Sequence, residues 1–474
     1  MPPPPGTIKH LVVLMLENRS FDHMLGPMEA NDWRIEGLAL PKSNAGSDGQ
    51  VYWTTTNANY AGDLTVDPGH DFTNVVMQMY QSDHITPGDP PMSGFAIDYA
   101  SRAGSDPANV MKCFNAGSLG ILGTLARQYA VCDHWFSSVP GPTLPNRAFA
   151  HGATSLGRLD MVPEYFADFV TVYQRLAEAI PGQAVSSRIY YEDWTIAMTV
   201  KYLLENQGEF FGFVKDFQND CDNGTLPGYS FIEPRYHAFD SPAGTVPPND
   251  QHPDNNVRLG EALIYQIYSA LRGSAAWTSS VFVIVYDEHG GLFDHVPPPA
   301  AISPDDLMNN AFGFGFDRLG VRVPAVVVSP YVDAGHIDST PYDHTSLIAT
   351  ARKLFLGPAL GDGWTNTWLT KRDRDASCFD SCLTRDAPRD DQVQFPQEHL
   401  NANDAVVAGP HPSGLDQPLS DFQRQLVQQA YGLEQTLPPA LRSGKTPADI
   451  QNQHDAAVYV QSVSAALRAA RVGP

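Results

Sequence analysis

The chain has 474 residues, with 53 acidic against 30 basic side chains and a formal net charge of −23. That balance argues against duplex nucleic acid as a partner, because phosphate binding needs clustered lysine and arginine to release counterions, and against docking on anionic bilayers through a basic patch. Hydrophobic residues make up 42% of the chain, which excludes disorder for most of it; the 38 glycines and 39 prolines mark a loop-rich enzyme rather than a repeat protein.

Met1 is followed by a run of prolines, with no basic region and no long apolar stretch, so no signal peptide is expected. The longest apolar runs are about six residues, far short of a membrane span of about 20. The expectation is a soluble protein, either cytoplasmic or a mature secreted form.

In chain order, Leu11 to Leu16 (LVVLML) reads as a buried strand. Residues 27–110 are loop-like and are expected to cover the site. Leu119 to Tyr129 has a helical pattern, and Tyr229 to Ile232 is a short apolar run ending at Glu233. Asn255 to Leu271 carries Val257, Leu263, Ile264, Ile267 and Leu271 at helical spacing, with Gly273 after it. Val281 to Tyr286 (VFVIVY) and Ala325 to Val328 are further strands, and Asp343 to Leu356 is a helix.

From about residue 360 to 417 the chain is rich in Asp, Pro, Arg and Asn. Helices are then expected over Ser420 to Leu433 and Thr446 to Val472, the second with Pro447 at its first helical position. Apolar runs without alternation read as strands of a parallel sheet buried on both faces. Their alternation with helices predicts an α/β sandwich. The expected division is a catalytic domain over 1–360 and a loop-rich, then helical, extension over 361–474 packed on it. Among the cysteines Cys113, Cys132, Cys221, Cys378 and Cys382, the last two are close enough for a surface disulfide. A metal knuckle there lacks a second Cys or His pair.

Ligands of parallel α/β sheets gather outside the carboxyl ends of the strands. Glu17-Asn18 follows the first strand, and Asp287-Glu288-His289-Gly290-Gly291 follows the strand at 281–286. A lone acid at a strand end reads as a cap. Two adjacent acids before a glycine pair are harder to read so. Brought together, Glu17, Asn18, Asp287 and Glu288 suit a divalent cation and would repel one another without it. Thr143, in Pro140-Gly141-Pro142-Thr143-Leu144-Pro145-Asn146-Arg147, is a candidate nucleophile, although spacing alone reads it as an N-cap. His70 and His252 supply acid–base capacity or structural hydrogen bonds. Asn146, Arg147, His289, Asp294 and His295 are weaker candidates for substrate contact.

Three blocks, Ile8 to Gly26 (IKHLVVLMLENRSFDHMLG), Thr143 to Arg147 (TLPNR) and Tyr286 to Pro297 (YDEHGGLFDHVP), resemble the signatures of the phospholipase C/acid phosphatase phosphoesterase family. That family includes bacterial phosphatidylcholine phospholipases C, plant non-specific phospholipases C and the acid phosphatase A type. Pro68 to Phe72, Gln251 to Glu261, Gly320 to Tyr331 and Tyr342 to Leu347 extend the likeness over residues 8 to about 357.

The resemblance implies an alkaline-phosphatase-like α/β sandwich with a mainly parallel central sheet flanked by helices. It implies one or more divalent metal ions (Ca²⁺, Mg²⁺, Mn²⁺ or Zn²⁺) at Glu17, Asn18, Thr143, Asp287 and Glu288. It also implies Thr143 as nucleophile, with His70 and His252 around the phosphoryl group. The expected activity is phospholipase C-type hydrolysis of a phospholipid or related phosphodiester through a phosphothreonine intermediate, with at most transient contact with a membrane surface. An acid phosphatase acting on small phosphomonoesters is the alternative, and a catalytically silent binding protein is a third reading. Trp53, Tyr60, Trp135, Tyr165 and Tyr191 are available as aromatic faces for a choline-type head group.

Overall fold

The computed structural model describes residues 1–160, 169–241, 244–400 and 418–471. Tyr165 and Val472 lie outside the described residues. The core is an eight-stranded sheet. Its strands in chain order are β1 (His10–Leu16), β2 (Ala130–Cys132), β3 (Ser187–Tyr191), β4 (Phe211–Phe213), β5 (Tyr229–Glu233), β6 (Ser280–Tyr286), β7 (Ala325–Val328) and β8 (His336–Asp338). Across the sheet they run β8-β2-β7-β6-β1-β5-β3-β4. The principal helices are α1 (Phe72–Tyr80), α2 (Leu122–Gln128), α3 (Thr143–Gly152), α4 (Val257–Gly273), α5 (Thr345–Leu360), α6 (Asp421–Glu434) and α7 (Gln453–Arg471).

The two longest apolar runs are the two central strands. β1 pairs in parallel with β6 from His10 opposite Ser280 to Leu16 opposite Tyr286, and with β5 on its other side. Leu11 to Leu16 and Val281 to Tyr286 are buried throughout. Burial on both faces is why neither run alternates, and each such side chain contributes roughly 1.5–3 kcal/mol relative to exposure.

β7 departs from the expected direction, running antiparallel to both β6 and β2. An unbroken apolar run reports burial, not polarity. The connection from β6 to β7 contains no helix to carry the chain back to the other end of the sheet, so β7 re-enters from the end where β6 stopped. The remaining seven strands share one direction, and the sheet is mainly parallel.

The stretch 27–110 is more structured than its composition suggested. It contains a hairpin of Ser43–Ala45 with Val51–Trp53, α1 and a short helix Phe95–Ala100. Val75, Val76, Met79, Phe95 and Tyr99 pack with Phe149 and Phe293 in a second apolar cluster. At the C-terminus, Thr446 and Asp449 close only the 3₁₀ turn Pro447–Asp449. Ile450 is extended and buried, which breaks the helix, so α7 begins at Gln453 rather than Thr446. All five cysteines are free thiols, and Cys378 does not pair with Cys382. Among the described residues no helix is long and apolar enough to cross a membrane.

Candidate active site

The site grows from the carboxyl ends of β1 and β6. Leu16 and Tyr286 are opposite one another, so Glu17-Asn18 and Asp287-Glu288 leave the sheet side by side. The Asp287 N–H donates to the Leu16 carbonyl at 3.1 Å, and the Asn18 N–H donates to Asp287 Oδ1 at 3.0 Å. Gly290 has φ +65° and Gly291 φ +69°. A Cβ on Gly290 would lie 2.2 Å from the Asn18 carbonyl oxygen, and one on Gly291 2.6 Å from that of Gly69. The glycine pair therefore lets three loops touch at one point.

Pro142 occupies the cap position of α3, and Thr143 is the first helical residue. Thr143 is not the cap. Its hydroxyl donates to Glu17 Oε2 at 3.1 Å and lies 3.3 Å from Asn18 Oδ1. One turn further along the same helix face, the fully buried Arg147 pairs with Glu17 Oε1 and donates to the Met15 carbonyl at 3.2 Å. Its guanidinium is 3.5 Å from Asp287 Oδ2 and 3.7 Å from Glu233 Oε2.

Burial pushes the Glu17 carboxyl well above its ordinary range; Arg147 pulls it back, and Asp287 and Asp250 push it further. Arg147 alone does not balance this cluster. Asp287 Oδ2, Glu288 Oε1 and Asn18 Nδ2 are buried with no hydrogen-bond partner. A buried polar group left unsatisfied costs roughly 1–3 kcal/mol, more when charged. The Thr143 hydroxyl thus meets the Glu17 and Asn18 oxygens, and Asp287 Oδ2 and Glu288 Oε1 are further buried oxygens without a hydrogen-bond partner. Such an all-oxygen donor set fits a hard divalent cation.

The histidines form a second group. Ligand atoms of Asp67, His70 and His252 lie within 4.8 Å of one another, and the two imidazole rings meet edge to face at 5.9 Å. Burial opposes protonation of His70, but Glu288, Asp67 and Asp71 raise its pKa to about 9. The His252 N–H donates to Asp250 Oδ1 at 3.1 Å. Burial raises the Asp250 carboxyl to about 6, while His252 draws it down. The His252 ring stacks on Phe422 of α6 at 5.8 Å, and its Nε2 is buried without a hydrogen-bond partner. A cavity of about 460 Å³ opens beside this pair, lined by Asp67, Arg102, His252, Leu419, Asp421 and Arg424.

The weaker substrate-contact candidates are committed elsewhere. The Asn146 amide donates to the Gly141 and Pro142 carbonyls at 2.9 and 3.1 Å and accepts from the Val139 N–H at 3.1 Å, locking the loop before Thr143. Arg147 is the buried counter-ion described above. His289 Nε2 is 2.7 Å from Gln78 Oε1, and Gln78 in turn donates to the Gly69 carbonyl at 2.6 Å, so His289 braces the loop that carries His70. Asp294 accepts from Arg322 Nε at 2.9 Å, and His295 Nδ1 bonds Asp22 Oδ2 at 2.7 Å. Asp294 and His295 thus join Asp22 and Arg322 in a largely buried polar cluster.

Of the proposed head-group aromatics, Trp135 and Tyr191 are buried in the core, Trp53 is exposed on the hairpin, and Tyr60 stacks on Phe114. None of these four lines the cavity. Residues that sequence reasoning missed are Asp67, Asp250 and Phe422. The first two stand close in sequence to His70 and His252, which was a usable signal. Phe422 offered none.

A model of the Phosphoesterase family matches residues 8–356. The chain is 35% identical over 450 residues to non-specific phospholipase C3 of Arabidopsis thaliana, covering 89% of this chain and 82% of that protein. It is 26% identical over 394 residues to phospholipase C A of Mycobacterium tuberculosis, covering 73% of each. A solved structure of a protein in the alkaline phosphatase superfamily from Vibrio parahaemolyticus overlaps 74% of this chain and 68% of its own, at a TM-score of 0.33 and 11% identity.

Proposed function

The chain belongs to the Phosphoesterase family, and from that premise we propose that it is a phospholipase C, cleaving the phosphodiester of a phospholipid with Thr143 as nucleophile. The observation that carries this reading is the Thr143 hydroxyl, held between Glu17 Oε2 and Asn18 Oδ1 at the start of a helix. The names of the relatives at about 35% and 26% identity supply the substrate class.

Thr143 Oγ1 attacks phosphorus in line with the departing ester oxygen, and Glu17 Oε2 is within reach of the hydroxyl proton. Glu17, Asn18, Thr143 and Asp287, with Glu288 Oε1 as a further oxygen, would hold a divalent cation, which would supply Lewis acidity to the hydroxyl and to the phosphoryl oxygens. The His70 imidazolium offsets charge on those oxygens. His252, which lines the cavity and has a buried Nε2 without a hydrogen-bond partner, protonates the departing alkoxide. Water then attacks the phosphothreonine as the now neutral His252 accepts its proton, and Glu17 returns a proton to the departing Thr143 oxygen, which restores the starting state.

The test compares p-nitrophenyl phosphorylcholine with p-nitrophenyl phosphate, using protein of measured metal content. The expected result is a higher kcat/KM for the diester. Preference for the monoester would replace this reading by that of an acid phosphatase on the same residues. Full activity after complete removal of divalent cations would refute the cation site.

A further inference from the structure

On the far edge of the sheet a different set of ligating side chains converges. β8 is the edge strand and runs parallel to β2, with Asp338 opposite Cys132. His336 and Asp338 are two residues apart and so share one face of that strand. The turn Phe379–Cys382, from the C-terminal extension, delivers Cys382 against the same face. Ligand atoms of His336, Asp338 and Cys382 all lie within 4.8 Å of one another. Cys382 Sγ is 3.5 Å from Asp338 Oδ2 and 3.9 Å from Cys132 Sγ. Both thiols are free and fully buried, whereas His336 is only half-buried and leaves a route to solvent.

We propose that His336, Asp338 and Cys382 bind a zinc ion. With Zn–S of about 2.3 Å and Zn–O of about 2.1 Å, the S···O edge of a tetrahedron is about 3.6 Å. The observed 3.5 Å between Cys382 Sγ and Asp338 Oδ2 matches that edge. Mixed nitrogen, carboxylate and thiolate donors select zinc over calcium or magnesium, which take oxygen sets.

The carboxylate is already oriented for the task. Tyr342 and Ser381 hydroxyls donate to Asp338 Oδ2 at 3.0 and 2.8 Å, and the Thr340 N–H donates to Oδ1 at 2.9 Å. Outer hydrogen bonds of this kind fix a ligand's direction. Binding breaks the Cys382 S–H bond, forms one S–Zn bond and releases one proton to solvent, with no change of oxidation state. The ion would tie the C-terminal extension to an edge that otherwise presents unpaired backbone groups.

The experiment uses the full-length protein with its metal replaced by Co²⁺. A thiolate-to-cobalt charge-transfer band is expected, which the all-oxygen site near Thr143 cannot produce. Elemental analysis of the untreated protein should show zinc. Cys382→Ser should abolish the band, Asp287→Asn and Cys378→Ser should leave it, and His336→Ala should weaken Co²⁺ binding at least about tenfold. His336 is half-buried at the sheet edge, so its variant remains informative if Cys382→Ser fails to fold. Absence of the band in the wild type, its persistence in both variants, or isolation of a Cys132–Cys382 disulfide from protein purified under zinc would overturn the proposal.

Discussion

Two buried clusters, a lower and an upper, each set an arginine among carboxylates; Asp22 and Asp294 of the first and Glu17 and Asp287 of the second come from the same two sequence blocks. In the lower one, Arg322 donates to Asp294 Oδ1 at 2.9 Å and Asp22 Oδ1 at 3.0 Å, and to the Glu36 and Asp133 carbonyls at 2.7 and 2.8 Å. Asp22 Oδ2 accepts from the His295 N–H at 2.8 Å, and Asp294 Oδ2 accepts from the Asp22 N–H at 3.1 Å. No side-chain atom of Asp22, Asp294 or Arg322 is left buried without a partner. In the upper cluster, Arg147 faces Glu17, Asp287 and Glu233, yet Asp287 Oδ2, Glu288 Oε1 and two guanidinium nitrogens have no hydrogen-bond partner. Buried polar groups are normally satisfied. The lower cluster behaves as a brace, and the upper one carries unspent valence where chemistry is expected.

The contrast can be broken at its functional end first. Thr143→Ala is expected to lower kcat by at least about 10³-fold while Tm stays within a degree or two, because its hydroxyl meets only the unspent cluster. Turnover equal to that of the wild type would remove Thr143 from the mechanism. Asp294→Ala is expected to do the opposite. It leaves Arg322 partly unpaired in the core and should cost about 3–5 kcal/mol in urea unfolding, the range for a broken buried ion pair. An unchanged urea midpoint would contradict the brace.

Asp287→Asn sharpens the comparison further. Wild-type Tm should rise on adding a divalent cation, by about 2.7 kcal/mol of stabilisation at a hundredfold excess over Kd. The variant should lose that rise without becoming less stable than the cation-free wild type. A variant whose Tm still responds in full would place the cation elsewhere.

The smallest effect concerns His295. Burial opposes its protonation, but Asp22 and Asp294 raise its pKa above the ordinary value. A raised folded-state pKa contributes stability that is complete below about pH 6.5 and is lost as pH climbs through the folded value. The difference in urea midpoint between wild type and His295→Gln should therefore shrink from pH 6 to pH 9, which lie about half a unit below and about two and a half units above the free imidazole. A difference independent of pH would refute the linkage.

What was legible in the sequence follows from length and burial. β1 and β6 are seven residues each and buried on both faces, so their runs stand out. β2, β4 and β8 are three residues each, too short to show any period. The direction of β7 depends on a connection, not on its own residues. In the site, adjacency in the chain exposed Glu17-Asn18 and Asp287-Glu288, whereas the balance of charge between them depends on Arg147, 130 residues from Glu17 in sequence. Asn146, His289, Asp294 and His295 looked equally polar on paper. Only the structure shows which partners hold them: Asn146 and Asp294 are tied to the backbone and to Arg322, and His289 and His295 each have one ring nitrogen engaged.

The stacking of Phe422 on His252 links the proposed site to the C-terminal extension. Any ligand that gains affinity from a properly held His252 must, by reciprocity, strengthen the attachment of α6 to the body of the protein by the same factor. Occupancy of the cleft then becomes readable at a distance, as slower amide exchange along Asp421–Glu434 and slower proteolytic clipping at its margins. The extension would report on substrate without carrying a catalytic group of its own.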